Sequence, residues 1–140
     1  ACFQVNNQPY ILVDTPGHVD FGPEMERALE LMDIAVLLIS APDGVVGYTK
    51  TLWSLLGKHR IPTIVFVNKT DQMGGETASL EEQIRETLSE RIIPFEDSKK
   101  RNEEIAMLNE DLLDKYLATG QVEIEKVARL FNRREIFPLL

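Results

Sequence analysis

Tyr10-Ile11-Leu12-Val13-Asp14-Thr15-Pro16-Gly17-His18 passes from four strand-forming apolar residues into a turn. A short run that is apolar at every position fits a strand buried in a sheet, and here it brings a carboxylate, Asp14, to the sheet edge. Pro16 fixes its own φ and offers no N–H, while Gly17, lacking a Cβ, lets the backbone approach a ligand closely. A strand-end carboxylate followed three residues later by a bare backbone amide suits a magnesium-bound phosphate. In that arrangement Asp14 orients the hydrated metal and the Gly17 amide faces the terminal phosphate. The same residues, Asp-Thr-Pro-Gly, also make an ordinary turn after a strand.

Working outward, a second apolar run, Ile61 to Val67, ends in Asn68-Lys69-Thr70-Asp71. At that place Asp71 can accept two hydrogen bonds from guanine, one from the ring N–H and one from the exocyclic amine. Adenine presents a ring acceptor and no amine on that edge. Asn68 serves the other edge of the base, and the stem of Lys69 lies over the ring. A site of this kind rejects the wrong base by leaving its own polar groups unpaired, a difference on the order of 10⁴ in favourable cases. Taken alone, Asn-Lys-x-Asp also fits a polar loop capping the next helix; two such motifs, each at a strand end and in this order, favour a nucleotide site.

Asp14-Thr15-Pro16-Gly17-His18-Val19-Asp20-Phe21 resembles the switch II segment of translational GTPases, and Asn68-Lys69-Thr70-Asp71 resembles their guanine-specificity motif. Leu37-Leu38-Ile39-Ser40-Ala41 and Asp43-Gly44-Val45 are similar to the strand and turn between those motifs. Within the family the likeness points to elongation factor G and, through Ile39-Ser40-Ala41, Asp71-Gln72 and Asn109 to Tyr116, to the tetracycline-resistance ribosomal protection proteins. The resemblance implies an α/β fold, a P-loop GTPase-like three-layer domain with a mostly parallel sheet, binding GTP or GDP with Mg²⁺. It implies Asp14, Thr15, Pro16, Gly17, Asn68, Lys69 and Asp71 as nucleotide-binding residues, with Asp14 reaching the metal through water. His18 is the implied catalytic residue, positioning the attacking water once ribosomal RNA orders it. The implied partner beyond the nucleotide is the ribosome.

No Gly-x-x-x-x-Gly-Lys-Ser/Thr loop occurs in the 140 residues. That loop cradles the phosphates, adds a lysine and gives a hydroxyl to the metal. The family's switch I threonine falls before Ala1 and its base-contacting Ser-Ala loop after Leu140. Residues 1–140 therefore read as a partial GTP-binding domain without the first strand and the phosphate loop, with a charge-rich helical insert at about 94–120. In the family the strand entering the phosphate loop lies between those identified here as Tyr10 to Val13 and Ile34 to Ile39. Its loss is expected to leave two apolar edges without hydrogen-bond partners. Two functions are then open: a GTPase in the intact parent, this chain alone being inactive, or a non-hydrolysing remnant that serves as a structural or interaction module.

Composition narrows the partners. A formal net charge of -8 argues against a domain held to nucleic acid by its overall field, so contact with RNA has to be local, and DNA is not an expected partner. Hydrophobic content of 44% and charged content of 27% are those of an ordinary globular domain, and no stretch is long and apolar enough for a membrane. The lone Cys2 cannot form an internal disulfide, which suits a cytoplasmic setting.

Along the chain, Phe3-Gln4-Val5 and Tyr10 to Val13 flank a short turn and predict a β-hairpin. Pro23 can open a helix through Met25, Ala28, Leu29 and Met32. Ile34 to Ser40, apolar throughout, reads as a strand covered on both faces. Thr49 to His59 predicts a helix with His59 at its cation-favouring end and Trp53 as a packing residue. Gly74-Gly75 breaks the chain, and Ser79 with Glu82 predicts a capping box for a helix that buries Leu80, Ile84 and Leu88. Lys99-Lys100-Arg101 reads as a solvated loop. Asn102 or Asn109 can cap a helix ending at Gly120, Val122 to Arg134 predicts another, and Ile136 to Leu140 begins a strand.

Overall fold

The computed structural model describes residues 1–15, 22–72 and 77–140. They fall into two compact units, Ala1–Leu31 and Met32–Leu140.

In the first unit, β1 (Cys2–Val5) and β2 (Gln8–Ile11) form an antiparallel hairpin with Val5 opposite Gln8. The two-residue turn between them needs two left-handed residues, and Asn6 and Asn7 supply them at φ 50° and 64°. Phe3 stacks on Tyr10 across the ladder, ring centroids 5.5 Å apart. The register corrects the expected strand. Cys2 pairs with Ile11, and Ala1 and Leu12 exchange two bonds of 2.7 Å, so pairing stops before Val13 and Asp14 lies past the strand end. Nor is the run buried: Ile11 is 76% and Val13 53% exposed, because a two-stranded ribbon covers neither of its own faces. Helix α1 (Gly22–Leu29) follows, with Met25 and Leu29 buried at i and i+4.

The second unit is a parallel four-stranded sheet built from β3 (Ala35–Ser40), β4 (Thr63–Asn68), β5 (Ile92–Pro94) and β6 (Phe137–Leu139). Its spatial order is β3-β4-β6-β5. The expected α/β fold with a parallel sheet is therefore present, although β5 was not foreseen: three residues, one of them Pro94, give no periodicity to read.

Side chains alternate across the sheet, and the two faces carry different helices. Ile39, Val65, Ile92, Phe137 and Leu139 point into one core, closed by Leu80 and Ile84 of α3 (Thr77–Thr87) and by Trp53 of α2 (Gly47–Lys58). Trp53 packs edge-on against Phe137 at 4.6 Å, the packing role its place on α2 suggests. Ile93 and Ile136 point the other way, into a second core with Ile105 and Leu112. That core is covered by α4 (Ser98–Ala106), α5 (Glu110–Thr119) and α6 (Ile124–Asn132). Together these make three layers.

β3 departs from the expectation that both its faces are covered. Leu37 and Ile39 are buried, but Val36 and Leu38 are 54% and 63% exposed, beside an exposed Phe66 on β4. The second-face helices cover β5 and β6, so among the described residues β3 lies at the sheet edge with one open face. Among the described residues β3 pairs with β4 alone, and β1 and β2 pair only with each other.

Two helix starts also differ from expectation. α3 begins at Thr77, so Ser79 lies inside the helix rather than at a capping box. Lys99-Lys100-Arg101 is the first turn of α4, not a loop, because the Asp97 carboxylate accepts from Lys99 N and Lys100 N at 2.9 and 3.1 Å. Gly74 and Gly75 lie outside the described residues.

Candidate functional site

Parallel strands finish at a common edge, and that edge of an open α/β sheet is where ligands bind. At this edge β4 ends in Asn68, whose neighbour in β3 is Ser40. Asn68 Oδ1 accepts from Lys69 N at 2.8 Å, which helps hold Lys69 in the left-handed conformation at φ 62°. The chain then closes a 3₁₀ turn, Thr70–Gln72, with Gln72 N donating to Lys69 O at 3.1 Å. Asn68, Lys69 and Asp71 are all exposed. The left-handed residue reverses the chain directly after the strand, so these three side chains stand on one short loop at the sheet edge.

A second turn borders this loop. Ser40 O accepts from Asp43 N at 3.1 Å and from Gly44 N at 2.9 Å, and Ala41 N donates to Asn68 O at 2.8 Å. Gly44 has φ +63°, a conformation that glycine takes without cost, and Gln83 Oε1 of α3 accepts from Val45 N at 3.2 Å. Among the described residues, Ser40 Oγ is buried without a hydrogen-bond partner. Gln83 escaped sequence reasoning because its partner lies 38 residues away and no motif marks the pair.

The sequence-predicted residues of the first unit are described only in part. Asp14 is exposed and Thr15 half-buried, both in irregular backbone after the hairpin. Pro16, Gly17 and His18 lie outside the described residues. Asp14 offers the hard oxygen donors that magnesium takes, and one or two carboxylates with water and phosphate oxygens suffice for that ion.

Elsewhere, a surface cavity of about 370 Å³ lies between α5 and α6, lined by Leu112, Lys115, Thr119, Val122, Glu123 and Lys126 among others. Lys115 lies within hydrogen-bonding reach of Lys126 and beside Glu123, which raises its pKa; Lys126 is lowered, first by Lys115 and then by burial. A second hollow of about 500 Å³ beside α3 and α4 is lined by Glu81, Glu82, Glu86, Glu90 and Glu104 with Arg85 and Lys100. None of the sequence-predicted site residues that the structure describes, Asp14, Thr15, Asn68, Lys69 and Asp71, lines either cavity.

Comparison with known proteins gives the context of this edge. Residues 1–135 match the model of the elongation factor Tu GTP binding domain. The tetracycline resistance protein TetW of Butyrivibrio fibrisolvens is 36% identical over 155 aligned residues, covering 98% of the chain and 24% of that protein. TetM from transposon Tn916 of Enterococcus faecalis is also 36% identical with the same coverage, and TetM of Streptomyces lividans is 47% identical over 95 residues, 68% of the chain. The crystal structure of ttk003000868 from Thermus thermophilus superposes with a TM-score of 0.80 at 25% identity, covering 99% of the chain and 28% of that protein. The chain thus spans about a quarter of the length of TetW and of the Tn916 TetM.

Proposed function

The chain belongs to the elongation factor Tu GTP-binding domain family, and from that premise we propose that it is the guanine-nucleotide-binding part of a ribosome-associated translational GTPase of the tetracycline-resistance ribosomal protection type. The observation that carries this reading is the loop Asn68–Asp71 at the end of β4, in a chain matching that family over residues 1–135. Asp71 accepts from the ring N–H and amine of guanine, Asn68 serves the other edge, and the Lys69 stem covers the ring. The resemblance to tetracycline resistance proteins supports the finer assignment, and it also supports a cytoplasmic location.

The phosphate end of the nucleotide is assigned to the segment after the hairpin. Asp14 would hold hydrated Mg²⁺ through water, with Thr15 and Pro16 as further nucleotide-binding residues. The Gly17 amide faces the γ-phosphate, and His18 positions water for in-line attack. Bound magnesium supplies charge neutralisation at the phosphates. Ribosomal RNA, the partner of this reading, brings His18 into place, so the chain alone does not turn over GTP.

The 140 residues contain no phosphate loop, and that observation favours a second reading, a non-hydrolysing remnant that serves only as a structural or interaction module. Calorimetric titration of the chain with GDP and Mg²⁺ separates the two. Binding at about micromolar Kd or tighter, with no comparable heat from ADP, supports the guanine pocket. Equal or absent heats from both nucleotides support the module.

A further inference from the structure

The loop proposed to read guanine is tied to the rest of the sheet edge through Asn68, and one side chain closes the tie. From Asn68 the path runs through its carbonyl to Ala41 N (2.8 Å), into the turn wound on Ser40, and from Val45 N to Gln83 Oε1 (3.2 Å). Along the chain, the 3₁₀ turn bearing Asp71 leads into α3, the helix that carries Gln83. A hydrogen-bonded path therefore joins Asn68 through Ala41 and Val45 to Gln83. Gly44 makes the closure possible, since a Cβ there would stand 2.5 Å from Gln83 Oε1. A glycine at φ +63° is also the joint at which this turn is freest to move if nothing holds it.

We infer that Gln83 is a positioning residue, whose amide oxygen clamps the β3–α2 turn and through it fixes Asn68 and Asp71 for guanine recognition. The inference rests on the reading of Asn68–Asp71 as the base site. Gln83 touches no base; it acts through Val45 and Ala41. A recognition site needs its hydrogen-bonding groups held within a fraction of an ångström, so a turn released by one bond blurs the placement of Asp71. The side chain is exposed, so replacing it does not open the core.

The test compares Gln83→Met, which keeps the length and removes the acceptor, with Gln83→Glu, which keeps the acceptor. Calorimetry with GDP and inosine diphosphate reads the placement of Asp71, because inosine lacks the exocyclic amine that Asp71 contacts. The GDP preference falls about two- to tenfold in Gln83→Met, the range of one net hydrogen bond, and is retained in Gln83→Glu, with thermal midpoints alike. An identical preference in all three proteins overturns the inference while leaving the guanine site standing. A wild-type chain that does not distinguish the two nucleotides sinks the base-site reading instead. Amide exchange then decides the clamp: faster exchange at Val45 and Asn68 to Gln72 in Gln83→Met but not Gln83→Glu sustains it, and unchanged exchange overturns it.

Discussion

Arg134 shows how much one side chain can hold together. It follows α6 in the left-handed conformation at φ 58°, and its guanidinium lies 5.5 Å from the Trp53 ring centroid and 4.9 Å from that of Phe137. The same group donates to Ile61 O and, at 3.0 Å, to Thr63 Oγ1. Burial lowers its pKa from the ordinary value, yet the two aromatic faces and two acceptors replace part of the lost water. Arg134→Ala leaves α2, β4 and β6 without their common link and is expected to cost about 2–3 kcal/mol in urea unfolding. Lysine does not restore it, having no planar fork to stack and bond at once. None of this was legible beforehand, for arginine is not a residue that announces a left-handed position. The place of Asn68, Lys69 and Asp71 at a strand end was legible, because they form a spaced motif immediately after an apolar run.

At the scale of elements, helix ends decide how well sequence and structure agree. Gly120 at φ 68° closes α5 as its type suggests, whereas α2 and α6 are closed by Arg60 and Arg134 at φ 56° and 58°. In both of the latter the next amide reaches back into the last turn of the helix, Ile61 N to Leu56 O and Glu135 N to Leu130 O, and those bonds hold the left-handed residue. Asn109 caps α5 by accepting from Leu112 N at 2.9 Å, and Leu112 is itself buried in the second core. Asn109→Ala is expected to destabilise the chain by about 1 kcal/mol in urea unfolding, while Asn109→Asp leaves it nearly unchanged. The burial of strands was read less well than their positions. Tyr10 to Val13 and Ile34 to Ser40 have the same continuous apolar pattern as a strand covered on both sides, but composition cannot say whether a second covering layer is present. Among the described residues no such layer covers Val36 and Leu38 of β3, and after β2 the pairing runs out at Leu12.

Across the whole molecule, the α/β fold followed from apolar runs alternating with amphipathic helices, and the family match over residues 1–135 agrees with it. The sheet order β3-β4-β6-β5 did not follow, since it depends on β5, a three-residue strand, and on which helices cover which face. Helices α4 to α6 owe their place to the second core, and an ion-pair set joins α4 to α3. In that set Arg85 holds Glu104 with both carboxylate oxygens, at 3.0 and 2.8 Å, and Lys100 reaches Glu81 at 3.1 Å. What the molecule does turns on whether the loop at the end of β4 reads guanine, and exchanging its acid for an amide tests that directly. Xanthine carries a carbonyl where guanine carries the amine, so the amide of Asp71→Asn can donate to that carbonyl and still accept from the ring N–H. Calorimetry of both proteins with GDP and xanthosine diphosphate is predicted to show GDP preferred by the wild type and xanthosine diphosphate by the variant, a reversal of about 10² or more. A variant that keeps the wild-type preference, or loses both nucleotides equally, contradicts the account.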